Sequence, residues 1–241
     1  NNFMLNKLSL KYVDVNDLDF LNLTNLTELE LLSVNRLKSG SFNTIPNQGV
    51  IERLSITDLD VSYLFFTGFT NLSYLDLSSS IVTVEKFSTI PSKGLITTLK
   101  LKDVCVKYFD FSTFISLEHL DIFKSTGLTA LQFNSLPNKN LIVTLDLQSV
   151  NIAGFDFSRF KNLKFLYLGA SRGITAEQFN AIPQEAKASV ETLCLSFLNI
   201  KDFDLSGFTN LKELKLSNVK GVTKRQFDAI PNRNFIKKSD I

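Results

Sequence analysis

The sequence predicts an α/β solenoid with a parallel sheet on its concave side and a convex side on which irregular segments alternate with short helices. Three observations carry this. The dipeptide Ile-Pro or Leu-Pro recurs at Ile45-Pro46, Ile90-Pro91, Leu136-Pro137, Ile182-Pro183 and Ile230-Pro231, at spacings of 45, 46, 46 and 48 residues. A run of the form LxxLxL begins five residues beyond the proline, or seven in one case, and these runs start at Leu5, Ile51, Ile96, Ile142 and Val190. A second such run follows each one 21 positions later, at Leu26, Leu72, Leu117, Leu163 and Leu211. Self-similarity at a fixed phase is the mark of stacked supersecondary units. The chain is five copies of a pair, one short unit of 21 residues and one long unit of 24 to 27.

Each LxxLxL reads as a short strand. Its first, fourth and sixth residues point into a stacked core, its second, third and fifth point outward, and neighbouring units pair in parallel at about 4.8 Å. Ten such strands make a face about 45 to 50 Å long. In the short unit the return path carries LDFLNL around Phe20, LFFTGF around Phe66, FDFSTF around Phe111, FDFSRF around Phe157 and FDLSGF around Leu205. Large apolar residues at alternate places with Asp, Asn, Ser and Gly between them predict an extended or tight-turned segment. In the long unit the return reads GLTALQFNSLP, GITAEQFNAIP and GVTKRQFDAIP, beginning at Gly127, Gly173 and Gly221. Thr129, Thr175 and Thr223 stand three residues before Gln132, Gln178 and Gln226, the spacing of a capping box, and the proline ends a helix of about two turns. The first copy lacks this pair around Phe42 and the second has Thr83 with Lys86, so both should form weaker versions.

The 22 phenylalanines fall into the same register. Phe42, Phe87, Phe133, Phe179 and Phe227 share one place, and Phe69, Phe114, Phe160 and Phe208 another. Stacked inside the return strip, each contributes about 1.5 to 3 kcal/mol on burial. The aromatic richness is therefore mostly core.

Composition narrows the function. With 241 residues, 44% hydrophobic and 21% charged, the balance is globular. A net charge of +2 gives no field to hold a nucleic-acid backbone. One histidine and two cysteines are too few for a structural zinc site or a disulfide framework. Cys105 and Cys194 lie four strands apart, roughly 20 Å at sheet spacing, too far to bridge, and the lack of disulfides leans toward a reducing compartment. Three asparagine glycosylation patterns, at Asn22, Asn25 and Asn71, are no more than chance supplies, so the compartment stays open. Apolar runs are too interrupted for a membrane span. The sequence contains no phosphate-binding glycine loop, metalloprotease histidine pair or Gly-x-Ser-x-Gly elbow. His119 with Asp121 shares an outward face, and Thr98 or Thr144 stands on a neighbouring strand, but a regular repeat offers no oxyanion hole or closed pocket. The expectation is a chain with no catalysis, no metal and no cofactor.

These runs resemble the leucine-rich repeat superfamily over essentially the whole chain. The resemblance implies a horseshoe solenoid that binds protein partners on its concave sheet. Members place Asn or Cys at the ninth position, where its side chain satisfies the turn after the strand. Here the short units hold Val13, Leu59, Val104, Val150 and Leu198, and the long units Val34, Ser80, Ser125, Ser171 and Val219. A serine ladder partly substitutes. The Gly-Ile-Thr before a helix is similar to the cysteine-containing repeats of intracellular ubiquitin-ligase adaptors, but the cysteine is missing and the short units do not fit, so no subfamily is assigned.

The fifth residues of the ten strands form the outward ribbon: Ser9, Glu30, Ser55, Asp76, Lys100, Asp121, Asp146, Tyr167, Cys194 and Lys215. Its centre is acidic, with Asp121 and Asp146 as direct neighbours and Lys100 beside them relieving part of their repulsion. Next to the acids the face turns aromatic, at Phe123, Phe165 and Tyr167, with Phe197 nearby at or past the end of its strand. Exposed aromatics grouped in this way match the anchors of interfaces; mutual packing on a tightly curved sheet is the competing explanation. Asp76, Lys100, His119, Asp121, Phe123, Asp146, Phe165, Tyr167 and Phe197 are the candidate partner-binding residues, for a protein with a basic and apolar contact surface. Two other readings stand beside this one: a structural protein assembling end to end, and, within binding, an adhesin or receptor ectodomain instead of an intracellular scaffold or adaptor. Asn1 to Leu5 aligns with residues that follow an Ile-Pro pair, and Ile236 begins a further LxxLxL. Residues 1–241 thus read as one solenoid, a window from a longer array without caps.

Overall fold

The computed structural model describes residues 5–231 and 233, and the backbone of 237–238. Residues 1–4 and Ile236, which carry the reading of the two ends, lie outside the described residues. Each LxxLxL forms a strand: β1 Lys7–Lys11, β2 Glu28–Leu32, β3 Arg53–Thr57, β4 Tyr74–Asp76, β5 Thr98–Lys100, β6 His119–Asp121, β7 Thr144–Asp146, β8 Phe165–Tyr167, β9 Thr192–Cys194 and β10 Glu213–Lys215, followed by β11 Lys237–Lys238. They make one sheet in chain order, every pair parallel. The fourth residues are partners from strand to strand, Leu29, Leu54, Leu75, Leu99, Leu120, Leu145, Leu166, Leu193 and Leu214. None of them is more than 4% exposed. At about 1.5 to 3 kcal/mol for each buried leucine, this column sets the register, because a slip of one residue would turn it to solvent.

The turn after the strand is built without the asparagine. Its eighth residue is left-handed in all ten units, from φ 47° at Ser33 to 63° at Phe197, through Tyr12, Asp58, Ser79, Asp103, Lys124, Ser149, Ala170 and Asn218. That backbone lets the ninth amide donate to the sixth carbonyl, as Ser125 N does to Ile122 O (3.0 Å) and Leu198 N to Leu195 O (3.2 Å). Serine replaces this bond in two copies. Ser80 Oγ donates to Ile56 O (3.0 Å) and accepts from Leu59 N (3.1 Å); Ser125 Oγ donates to Leu101 O and accepts from Val104 N (3.4 Å). At Ser171 the ladder stops. Val150 N turns back to Leu147 O (3.2 Å), and Ser171 Oγ is the one buried side-chain oxygen or nitrogen without a partner among the described residues.

The convex side alternates as the sequence predicts. Turns form the short returns, and their aspartates accept from the amide two residues on, as Asp110 does from Ser112 N (2.8 Å) and Asp156 from Ser158 N (2.9 Å). The long returns hold α1 Ser39–Asn43, α2 Val84–Ser88, α3 Ala130–Asn134, α4 Ala176–Asn180, α5 Gln184–Ser189 and α6 Lys224–Asp228. Thr129, Thr175 and Thr223 form complete capping boxes with their glutamines; Thr83 caps one way, and α1 has no side-chain cap. At five residues each, α1 to α4 and α6 fall short of the two turns expected, since the residues before the proline already leave the helix. The two extra residues of the fourth copy make α5, which the repeat pattern did not predict.

In the third and fourth copies the triplet Gln-Phe-Asn fastens the long return to both neighbours. Gln132 Nε2 donates back to Val106 O and Phe109 O (both 2.9 Å), Phe133 is fully buried, and Asn134 reaches forward, donating to Gly154 O (3.1 Å) and accepting from Asp156 N (2.9 Å). Gln178, Phe179 and Asn180 repeat this against Ile152, Phe155, Asp202 and Asp204. The phenylalanines pack ring on ring, with centroids 4.1 Å apart for Phe133 and Phe155 and 5.7 Å for Phe133 and Phe160. Phe227 is only partly buried. Lys93, Lys139 and Lys187 are buried under this layer. Lys139 Nζ donates to Asp156 O (3.2 Å) and lies 5.1 Å from the centre of the Phe133 ring, an ammonium held by a carbonyl and an aromatic face. Burial pushes Lys93 and Lys139 below the usual lysine range.

Two contrasts test this account by urea denaturation. Phe133→Ala should lower stability by about 3 to 5 kcal/mol, for a large buried aromatic. Ser125→Ala should lose about 1 kcal/mol through its two hydrogen bonds, and Ser171→Ala should lose nothing or gain.

Candidate concave binding face

Strand alternation places the third, fifth and seventh residues on the concave side. The fifth row runs in register through Asp76, Lys100, Asp121, Asp146, Tyr167, Cys194 and Lys215. The third row brings His119, Thr144 and Phe165 side by side. Asp121 and Asp146 are direct cross-strand partners, as the spacing predicts.

The structure explains why aspartate suits the fifth place. Each carboxylate accepts from the amide two residues later: Asp76 from Ser78 N (3.0 Å), Asp121 from Phe123 N (3.3 Å) and Asp146 from Gln148 N (3.0 Å). One oxygen is thereby held by the end of the strand. The remaining oxygen is directed differently in each. Tyr74 Oη donates to Asp76 Oδ2 (3.4 Å), Lys102 Nζ sits 3.0 Å from Asp121 Oδ2, and Gln148 Nε2 donates to Asp146 (3.2 Å). Lys102, a seventh-place residue outside the expected set, is thus the cation of the acidic pair. Lys100, expected in that role, instead lies with its Nζ 5.4 Å from the Tyr74 ring centre, on a ring that Arg53 also covers at 4.0 Å. Lys100 is a cross-strand partner of both Asp76 and Asp121, but the alternation leaves Lys102 beside the open oxygen of Asp121.

Half-burial pushes the Asp146 carboxyl above the ordinary carboxylate range; the Gln148 amide works against this and the Asp121 charge adds to it. Burial alone would lower Lys102, but its bond to Asp121 and the fields of Asp121, Asp146 and Asp76 raise it. His119 Nδ1 is 2.9 Å from Thr144 Oγ1. Histidine and hydroxyl therefore do meet, while Asp121 is turned to Lys102.

The aromatic residues divide. Phe165 and Tyr167 are half-buried in the third and fifth rows of β8, and burial raises the Tyr167 phenol. Phe123 is half-buried at the seventh place, whereas Phe197 is the left-handed turn residue of its unit, 62% exposed. Phe123 and Phe197 line one recess with Gln148, Gly169, Ser196 and Lys215. Cys194, expected on the outward ribbon, is buried. It points to the concave side but is only 3% exposed, and its neighbour Thr192 is 7% exposed. Gly169 is the cause: with no side chain there, Gln148 reaches across β8 to bring Oε1 within 3.5 Å of Cys194 Sγ, and a Cβ on Gly169 would stand 3.0 Å from that sulfur. Both cysteines are free thiols. Among the described residues there is no cluster of three or more metal-ligating side chains and no helix long and apolar enough to cross a membrane.

The raised carboxyl has a stability consequence. In the folded chain Asp146 holds its proton to higher pH than in the unfolded chain, so its contribution is fully present below the unfolded value near 3.9 and is lost as pH rises through the folded one. Asp146→Asn should therefore raise Tm at pH 7, with the gain shrinking toward pH 3; a constant difference across that range would show that the carboxyl is not held up by its surroundings.

No protein-family model matches the chain, and no curated protein does. Among solved structures, an internalin (inlF) from Listeria monocytogenes superposes with a TM-score of 0.53 at 15% identity, over 93% of this chain and 77% of that one. The functional domain of InlJ from Listeria monocytogenes, which includes a cysteine ladder, gives a TM-score of 0.49 at 20% identity, over 89% of this chain and 44% of that one. Repeat period, an all-parallel ladder in chain order and the internalin likeness agree: this chain has the leucine-rich repeat fold.

Proposed function

We propose that the chain is a non-catalytic protein-recognition module that takes its partner on the concave sheet between β4 and β9. Asp121 and Asp146, with Asp76, orient a basic group on the partner. Phe123, Phe165, Tyr167 and Phe197 supply the apolar contacts, and Lys100 and His119 border them. The observation that supports this most is the company of Asp146. It is a half-buried carboxyl with no ion pair among the described residues, one strand from Phe165 and Tyr167 and joined through Gln148 to the recess that Phe123 and Phe197 line. A cation from outside would find there a charge already stripped of much of its water and apolar surface on which its stem can lie, the mixture that concentrates binding energy at interfaces. A partner seated on this stretch would bury about 800 Å² of it.

The test is capture of binding proteins by the wild-type chain and by the triple variant Asp121→Lys, Asp146→Lys, Phe165→Ala, with circular dichroism as the check on folding. The variant should keep its spectrum and lose the captured partner. Equal capture by a folded variant would move the site to the convex side or an edge.

A further inference from the structure

An aspartate beside a tyrosine ring occurs twice on the concave sheet, and the two places differ in what lies on the ring. Asp76 has Tyr74 on its own strand, the phenol donating to Asp76 Oδ2 at 3.4 Å. That ring is already covered, with Arg53 Cζ 4.0 Å from its centre and Lys100 Nζ 5.4 Å. Arg53 also reaches an acid, its Nε lying 4.0 Å from Glu28 Oε2, so the chain itself lays a guanidinium on a tyrosine next to a carboxylate. Asp146 has Tyr167 as its partner on the next strand and Phe165 diagonal to it. Here the arrangement is open: among the described residues no cation lies over either ring and none pairs with Asp146. The neighbouring lysines are engaged elsewhere, Lys102 with Asp121 (3.0 Å), Lys215 with Glu213 (3.4 Å) and Lys124 with the Phe123 ring (5.1 Å to its centre). Lys102 acts on Asp146 through its field only.

What meets the Asp146 side chain is an amide. Gln148 Nε2 stands 3.2 Å from both Oδ1 and Oδ2, one nitrogen shared between two oxygens, while Oε1 of the same side chain faces Cys194 Sγ (3.5 Å) across the gap left by Gly169. A flat, neutral donor thus sits where a charged fork would fit better. A guanidinium gives each oxygen its own N–H. Its plane lies on an aromatic ring, and it gives up its water more readily than an ammonium. We infer that the basic group of the partner is an arginine, that its guanidinium pairs with Asp146 over the Tyr167 ring, and that Gln148 is a placeholder that swings off the carboxylate to admit it. This rests on the concave sheet being the binding face. The displaced amide has room in the recess it already lines with Phe123, Ser196 and Phe197, and a change of side-chain rotamer is the ordinary extent of movement at an interface. A lysine would bring a single nitrogen to the place that Gln148 Nε2 now holds and improve on it only by its charge.

Random peptides displayed on phage are selected on the wild-type chain, and the enriched sequences are synthesised with a fluorophore. Anisotropy gives their affinities for the wild type, Asp146→Asn, Phe165→Ala and Gln148→Ala, with circular dichroism as the check on folding. Each peptide is also made with its cationic residue exchanged between arginine and lysine, and with citrulline in that place. Peptides that depend on Asp146 should carry an arginine, lose about tenfold or more in affinity with lysine or citrulline, and bind Gln148→Ala severalfold more tightly, because the amide no longer competes. In nitrogen-edited NMR spectra the Gln148 side-chain amide, identified by its loss from Gln148→Ala, should move to the position of a free glutamine as peptide saturates the chain. Asp146-dependent peptides that accept lysine equally, weaker binding to Gln148→Ala, or an unmoved Gln148 amide overturn the inference and leave the concave reading in place. Peptides that ignore Asp146→Asn but lose affinity on Phe165→Ala do the same. Peptides indifferent to both variants overturn the inference and the concave reading together, and a selection that enriches nothing overturns the inference.

Discussion

A single coil of this chain has no inside. Its leucines at the first, fourth and sixth places become buried only when another coil is laid on each side, so the favourable term in folding belongs to the junctions and not to the units. The rest of the molecule answers to this constraint. Strands are short because only the residues facing the next coil need to be straight. The register is set by a leucine column that tolerates no slip, and the polar groups of the return paths are satisfied by neighbours, Gln132 reaching back one coil and Asn134 forward one. A Gln-Phe-Asn triplet does three jobs in three consecutive residues because a helix turns each of them to a different side.

What the sequence could reveal follows from the same logic. Anything repeated five times in phase is legible: strands, registers, the phenylalanine columns, the capping boxes and the pairing of Asp121 with Asp146 all follow from spacing. What happens once is not. The helix α5 arises from two extra residues whose effect no other copy displays. The unpartnered Ser171 hydroxyl differs from Ser125 only in where one amide turns. The left-handed eighth column was hidden for another reason. It holds Tyr, Ser, Asp, Lys, Ala, Phe and Asn and never glycine, so no residue type announces it, although ten occurrences at one phase were there to be asked about.

The candidate face shows the same division at finer grain. Its rows and cross-strand neighbours were readable, and the side-chain bonds between them were not. Lys102 and not Lys100 answers Asp121, because two residues along a strand shift a side chain by a whole row. Cys194 sank from view because Gly169 on the next strand has no side chain to keep Gln148 away. The buried lysines Lys93, Lys139 and Lys187 read in sequence as ordinary surface charges, and only the phenylalanine layer above them shows that their stems are packed and their ammonium groups held by carbonyls.

The Gln-Phe-Asn fastening is complete in the third and fourth copies, reduced to one asparagine contact in the first and absent as a triplet from the second. The two ways of joining coils thus trade places along the array: the first two junctions carry five-residue strand pairings with little at the back, and the third and fourth copies carry three-residue pairings with side-chain rivets behind them.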